Sequence, residues 1–165
     1  MKNLILSLLL LGWTTQMFSQ ITKLPEVYIT VNYKYLNAVN AEDMAEPVKM
    51  LREEVAFYDL TSSELYSDEY DEYFVTFFIP EGKILAAYDK DANLIRTIEK
   101  FKNIKLPMDI RNTIAKKYPN WYMAKDVYKV NYHKDKGVTK MQYKVRLENG
   151  NESFNVKIDE DGNFM

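Results

Sequence analysis

The sequence predicts an α+β fold in which two helix-plus-antiparallel-meander units pack their helices on one face of a sheet. Three observations lead to this prediction: period-two alternation near the C-terminus, two segments with apolar residues every three or four positions, and an acidic turn that occurs twice. The composition of 47% apolar and 28% charged residues is that of a folded chain. Its 13 tyrosines favour the half-buried surfaces of a sheet.

The N-terminus has the pattern of a signal peptide. Lys2 supplies the positive charge, residues 4–12 an apolar run, and cleavage after Ser19 fits the small-residue rule. We expect a signal peptide over residues 1–19 and a mature chain that is periplasmic or secreted. An uncleaved anchor is the alternative, but this run is far shorter than the roughly 20 residues that span a bilayer. We therefore expect no stable membrane insertion after cleavage.

The first half of the mature chain predicts a strand, a helix and a three-stranded meander. Residues 27–35 alternate like a strand, and residues 48–58 place apolar side chains on one helical face. The period then changes to two over residues 73–79, 83–88 and 94–101, which are separated by turn residues. This succession predicts an antiparallel meander beside a helix.

The second half repeats this order more clearly. Pro107 at a first-turn position and Pro119 at the exit bracket a second helix, with Ile110 and Ile114 inward. Three strands follow, in which bulky side chains alternate with polar ones. An antiparallel sheet with one buried and one solvated face has this pattern.

The two halves share a turn, which suggests an internal duplication. Residues 89–95 and 159–165 have related sequences and lie 70 positions apart. Convergent turn chemistry is the alternative, since Asp, Asn and Gly recur in turns for local reasons. We predict a first unit over residues 20–103 and a second over residues 104–165.

Short segments around the second helix and the turns resemble a known family. The most specific is a helix ending in Lys-Tyr-Pro-Asn-Trp, at residues 117–121. With residues 88–91, 98–101, 126–128, 143–145 and 147–150, it is similar to the PepSY-like, beta-lactamase-inhibitor-like proteins exported by Bacteroidetes. The resemblance implies a beta-lactamase-inhibitor-protein-like arrangement of tandem units outside the cytoplasm, no catalytic residues, and a role in binding or restraining partner proteins.

The residue inventory argues against an enzyme, and we expect no cofactor and no metal site. The chain has no Cys and one His, His133, so zinc ligand sets and nucleophile-histidine pairs lack members. The Asp-x-Asp-x-Asn turns resemble the start of a calcium loop but lack the closing Glu. A small-ligand or calcium-binding periplasmic protein is the alternative function. Trp121 and Tyr122 are either an exposed anchor or part of the core.

Charge is distributed unevenly along the chain. Residues 41–72 hold eleven acidic and two basic side chains, whereas residues 96–146 hold fourteen basic and four acidic ones. Attraction between the halves and solvated faces explain this better than nucleic acid, for which no motif is present. We therefore expect no nucleic-acid partner.

The polar side of the last three strands is the candidate recognition surface. It would present a basic platform to an acidic protein or glycan. We expect an exported non-catalytic domain that binds a protein or peptide, with an inhibitory effect as one outcome. The candidate partner-binding residues are Lys129, Asn131, His133, Gln142, Lys144, Arg146, Asn155 and Lys157.

Overall fold

A computed structural model describes residues 32–67 and 69–165. The predicted signal peptide over residues 1–19, and residues 27–31 of the predicted first strand, lie outside this part of the chain. Within the described residues no helix combines the length and apolarity needed to cross a membrane. The elements are α1 (Tyr33–Val39), α2 (Glu46–Phe57), β1 (Glu72–Ile79), β2 (Gly82–Asp89), β3 (Leu94–Lys102), α3 (Met108–Lys117), β4 (Tyr122–His133), β5 (Gly137–Asn149) and β6 (Glu152–Asp159).

The six strands form one antiparallel sheet in the order β1-β2-β3-β4-β5-β6. Each strand pairs with its neighbours in sequence, and α3 lies in the connection between β3 and β4. The predicted α+β class and antiparallel meanders are confirmed. The two meanders are joined edge to edge through the β3–β4 pair, from Arg96 opposite His133 to Lys102 opposite Val127.

The C-terminal alternation is confirmed by burial. Tyr128, Val130 and Tyr132 on β4 are buried, while Lys129 between them is exposed. Tyr143 lies directly opposite Tyr128, and the two rings stack with centroids 4.6 Å apart and planes 12° apart. Such cross-strand aromatic pairs stabilise a sheet on its core side.

The helix α2 matches the predicted one to within two residues at each end. Pro47 lies in its first turn, where its missing N–H costs nothing. Val48, Leu51 and Val55 are buried, as their spacing predicts. This helix lies against β1 and β2.

The predicted strand over residues 27–35 is wrong where the structure describes it, because residues 33–35 belong to α1. Tyr35 and Val39 are four positions apart, and both are buried on one side of this helix. Val and Tyr favour strands, but local propensity is weak compared with the burial gained here. α1 lies against β4 and β5, so residues 33–39 pack on the second meander.

A carboxylate from the first half of the chain caps α3. Oδ2 of Asp43 accepts the N–H of Met108 at 2.8 Å, at the first turn of the helix. This bond, with the nearby Lys105 ammonium, lowers the pKa of Asp43. The acceptor satisfies one of the amides that a helix N-terminus leaves without an intrahelical partner.

Candidate functional site

The predicted recognition residues lie on one side of the sheet, on neighbouring strands. Lys129, Lys144, Arg146, Asn155 and Lys157 are exposed, and Asn131, His133 and Gln142 are half-buried. The register places six predicted residues in three directly opposed pairs. Lys129 lies opposite Gln142, Lys144 opposite Lys157, and Arg146 opposite Asn155. The structure therefore brings residues from three strands into one patch.

The patch continues over β2 and β3, which were not part of the predicted surface. Lys83 on β2 lies opposite Lys100 on β3, which lies opposite Lys129 on β4. The same alternation that pointed to Lys129 could have pointed to Lys83 and Lys100. We name the whole set the basic face; its exposed members are Lys83, Arg96, Lys100, Lys102, Lys125, Lys129, Lys140, Lys144, Arg146 and Lys157.

The basic face has far more positive than negative charge. Glu72 pairs with Arg96 at 3.2 Å and Glu148 with Arg146 at 2.9 Å. Among the described residues no ion pair involves the eight lysines of the face. Like charges directly opposite each other on a sheet are destabilising. A surface that retains such pairs is suited to a negatively charged partner.

The predicted attraction between the acidic and basic halves of the chain is limited in the described residues. It consists of two exposed ion pairs, Asp43 with Lys105 and Glu72 with Arg96. The acidic segment before β1 is held instead by tyrosines, since Tyr73 donates to the carbonyl of Ser67 and stacks with Tyr66. Among the described residues, the acidic segment therefore pairs with Arg96 of the basic face and with none of its eight lysines.

His133 has a local role at the turn between β4 and β5. Its Nδ1 accepts the N–H of Asp135 at 3.2 Å, and the Asp135 carboxylate lies 3.9 Å from the same nitrogen. Because this ring nitrogen accepts a backbone amide, the side chain helps to close the turn.

The two acidic turns use their first aspartate internally. In both, Oδ1 of the aspartate accepts the amides two and four positions later, at 3.1 and 2.8 Å. The side-chain amides of Asn93 and Asn163 also donate to Asp89 and Asp159. The hydrogen bond from the backbone amide of Asn163 lowers the pKa of Asp159. Across the described residues, no three His, Cys, Asp or Glu side chains are disposed to hold a metal.

Trp121 and Tyr122 have different environments. Trp121 is half-buried and packs edge-on against Phe154, with ring centroids 4.7 Å apart. Tyr122 is exposed and donates to Glu148 at 3.0 Å. Trp121 therefore extends the core, as one of the two sequence interpretations predicted.

A buried polar network that the sequence pattern did not predict lies between the helices and the sheet. Arg52 on α2 and Glu99 on β3 form an ion pair at 2.8 Å, and both side chains are 0% exposed. Arg52 also donates to the carbonyl of Val39 and to the hydroxyl of Tyr128, and Tyr35 donates to Glu99 at 2.7 Å. Burial, and then the charge of Glu99, raise the pKa of Tyr35 well above its usual value. The network joins α1, α2, β3 and β4, and its burial makes it a structural element.

Replacing Asp126 with asparagine is expected to stabilise the protein near neutral pH. Asp126 is 8% exposed, and burial raises its pKa although the Ile104 amide donates to it at 3.3 Å. A raised folded-state pKa means that the folded state loses stability as pH rises from the unfolded value of about 3.9 through the folded value. Asparagine can accept the same amide without a charge.

The measurement for Asp126→Asn is urea unfolding at several pH values. The gain over wild type should be largest near pH 7 and should vanish below the unfolded-state pKa of about 3.9. Asp109→Asn, at an exposed position on α3, removes the same charge as a control. A gain that does not change with pH would contradict this account.

Comparisons of the chain with protein-family models, with curated proteins and with solved structures find no significant match. The resemblance to PepSY-like proteins therefore stays a prediction.

Proposed function

We propose that this protein is an exported, non-catalytic binding domain that recognises an acidic protein or peptide through the basic face. One observation carries the proposal: eight exposed lysines share one side of a continuous sheet, several directly opposite each other, without ion pairs among the described residues. Such an array costs stability in isolation and is relieved when carboxylates approach. A partner held in this way would be restrained, so inhibition of the partner is part of the proposal.

The proposal of export rests on the N-terminal sequence, with its single lysine, apolar run and small-residue exit. A periplasmic or secreted location places the basic face among extracellular proteins and peptides. The kinship with PepSY-like proteins belongs to the same proposal and rests on the segments quoted for it.

We also propose that the chain consists of two related units, residues 20–103 and 104–165, with helices on one face of the shared sheet. The acidic turns support the relationship, because Asp89 and Asp159 each accept hydrogen bonds from the backbone amides two and four positions later, at the same distances. The buried residues of α2 and the inward residues of the strands belong to one apolar cluster, which supports the placement of that helix opposite the basic face.

An acidic peptide of about eight residues tests the proposed function, since an extended segment of that length reaches across the sheet. We expect labelled Ala-Ser-Glu-Ser-Glu-Ser-Glu-Ser to bind the wild-type protein at low ionic strength, and we expect its affinity to fall as salt is added. The variant Lys129→Glu/Lys144→Glu/Lys157→Glu should lose roughly tenfold in affinity, about 1.4 kcal/mol. Fluorescence polarisation measures both.

A matched triple variant separates the face from net charge alone. Lys34, Lys90 and Lys116 are exposed and lie outside the basic face, so their replacement by glutamate makes the same change in charge. Peptide binding should change little in this control. Equal losses of peptide affinity in the two triple variants, or no peptide binding by the wild-type protein at low salt, would contradict the proposed function.

A further inference from the structure

An exposed apolar side chain lies at the edge of the basic face. Phe78 on β1 is 79% exposed, the highest value for a large apolar side chain in the described part of the protein. It lies directly opposite Lys83, so it is on the same side of the sheet as the lysines. Phe74, four positions earlier on the same side of β1, is covered by the Arg96 guanidinium at 5.6 Å. Phe78 has no such cover among the described residues.

Phe78 forms one wall of an open depression at the β1–β2 hairpin. The depression combines apolar and cationic groups, with three lysines against a single carboxylate. A single exposed phenylalanine is ordinary on a protein surface. One that borders a depression lined with lysines provides an apolar contact next to sites for carboxylates. The lining includes Phe78, Pro80, Glu81, Lys83, Lys100 and Lys102.

The register places Phe78 at one end of a path of lysines. Phe78, Lys83, Lys100 and Lys129 occupy opposed positions on β1, β2, β3 and β4. On β5 the residue opposite Lys129 is Gln142. Lys144, two residues further along β5, lies on the same side of the sheet, and it is opposite Lys157 on β6. Five strand spacings of about 4.8 Å give a path of roughly 24 Å.

We infer that the partner segment is an extended peptide with an apolar anchor at one end and carboxylates at alternate positions. The anchor occupies the depression beside Phe78, and the carboxylates lie over the path of lysines. At about 3.3 Å per residue, a segment of about eight residues covers the path, with every second side chain on one side. This inference rests on the proposed function and adds the order of the recognised side chains.

Charge complementarity alone would suit any polyanion, including a sulfated glycan. The depression favours a peptide, because an apolar group next to regularly spaced carboxylates is a combination that an extended polypeptide supplies. A glycan would use the lysines and gain nothing from Phe78. The contribution of Phe78 therefore distinguishes the two.

The test compares Trp-Ser-Glu-Ser-Glu-Ser-Glu-Ser with the same peptide carrying alanine in place of tryptophan. Wild type should bind the tryptophan peptide about tenfold more tightly. In Phe78→Ala this preference should fall to about twofold or less, while the affinity for the alanine peptide stays the same. Phe57→Ala is the matched control, since Phe57 is an exposed phenylalanine on α2, 47% exposed, and should keep the preference.

The outcomes separate this inference from the proposed function. Binding of both peptides with equal affinity, or a preference that survives Phe78→Ala, overturns the anchor and leaves the acidic-partner proposal standing. Failure of both peptides to bind overturns both. Tighter binding by a sulfated polysaccharide that is indifferent to Phe78→Ala would assign the face to glycans and also overturn the inference.

Discussion

Replacing Glu99 with leucine is expected to lower the free energy of unfolding by about 3–5 kcal/mol. The variant leaves the Arg52 guanidinium fully buried without its carboxylate, with only the Val39 carbonyl and the Tyr128 hydroxyl as acceptors. It also leaves the Tyr35 hydroxyl without its acceptor. An unpaired buried charge is among the few single changes that cost this much. Urea unfolding measures the loss.

Two further variants separate the buried charge from lost packing. Arg52→Met/Glu99→Leu removes both charges and should recover most of the loss, because a buried pair replaced by apolar groups of similar size is often neutral. Glu72→Leu breaks the exposed pair with Arg96 and should cost no more than about 1 kcal/mol. A Glu99→Leu loss no larger than the Glu72→Leu loss would contradict the proposed role of the network.

The network also illustrates what a sequence pattern leaves out. Glu99 stands two positions before the buried Phe101, so strand alternation places both on the same side. Arg52 stands four positions after the buried Val48 and therefore on the inward face of α2. The periodicity of the strand and of the helix places both side chains inward, whereas charged side chains are usually exposed to solvent. The partner 47 positions away that makes burial possible is a tertiary fact.

The strands could be predicted because both of their faces are unambiguous. Bulky and polar residues alternate over residues 128–133, 141–147 and 153–158, and the observed strand pairing keeps the bulky residues of these segments on one side of the sheet. α1 was missed for the opposite reason. Its tyrosines and Val39 have strand propensity, whereas in the helix Tyr35 and Val39 are both buried and Tyr35 packs against Tyr132 on β4, with ring centroids 5.2 Å apart.

The sequence predicts only part of the basic face. The sequence identified Lys129, Lys144 and Lys157 because they alternate with clear core residues. Lys83 and Lys100 obey the same alternation, but their connection to the others depends on β3 pairing with β4 across α3. Two meanders on separate sheets would have given two smaller patches. The pairing of strands is therefore what makes the surface large.

Replacing Gly82 with alanine is expected to destabilise the protein by about 1–3 kcal/mol. A Cβ at this position would lie 2.4 Å from the backbone oxygen of Lys100 and 2.8 Å from the Cα of Phe101. Backbone atoms in the middle of a sheet cannot move away as a flexible side chain can, so the β1–β2 hairpin would have to shift from β3. Urea unfolding measures the effect, and wild-type stability would mean that the hairpin accommodates a methyl group.

Gly137→Ala is the matched control, because it separates this clash from the general cost of replacing a turn glycine. Gly137 has a φ of 69° and no neighbouring atom within 4 Å of a Cβ, so alanine there adds only the backbone strain of about 1–2 kcal/mol. The two variants should differ in binding even if their stabilities are similar. Gly82 lies in the wall of the depression that contains Phe78, Lys83 and Lys100. A shifted hairpin would separate the phenylalanine from the β3 lysine, so Gly82→Ala should reduce the preference for the tryptophan peptide, whereas Gly137→Ala should leave it intact.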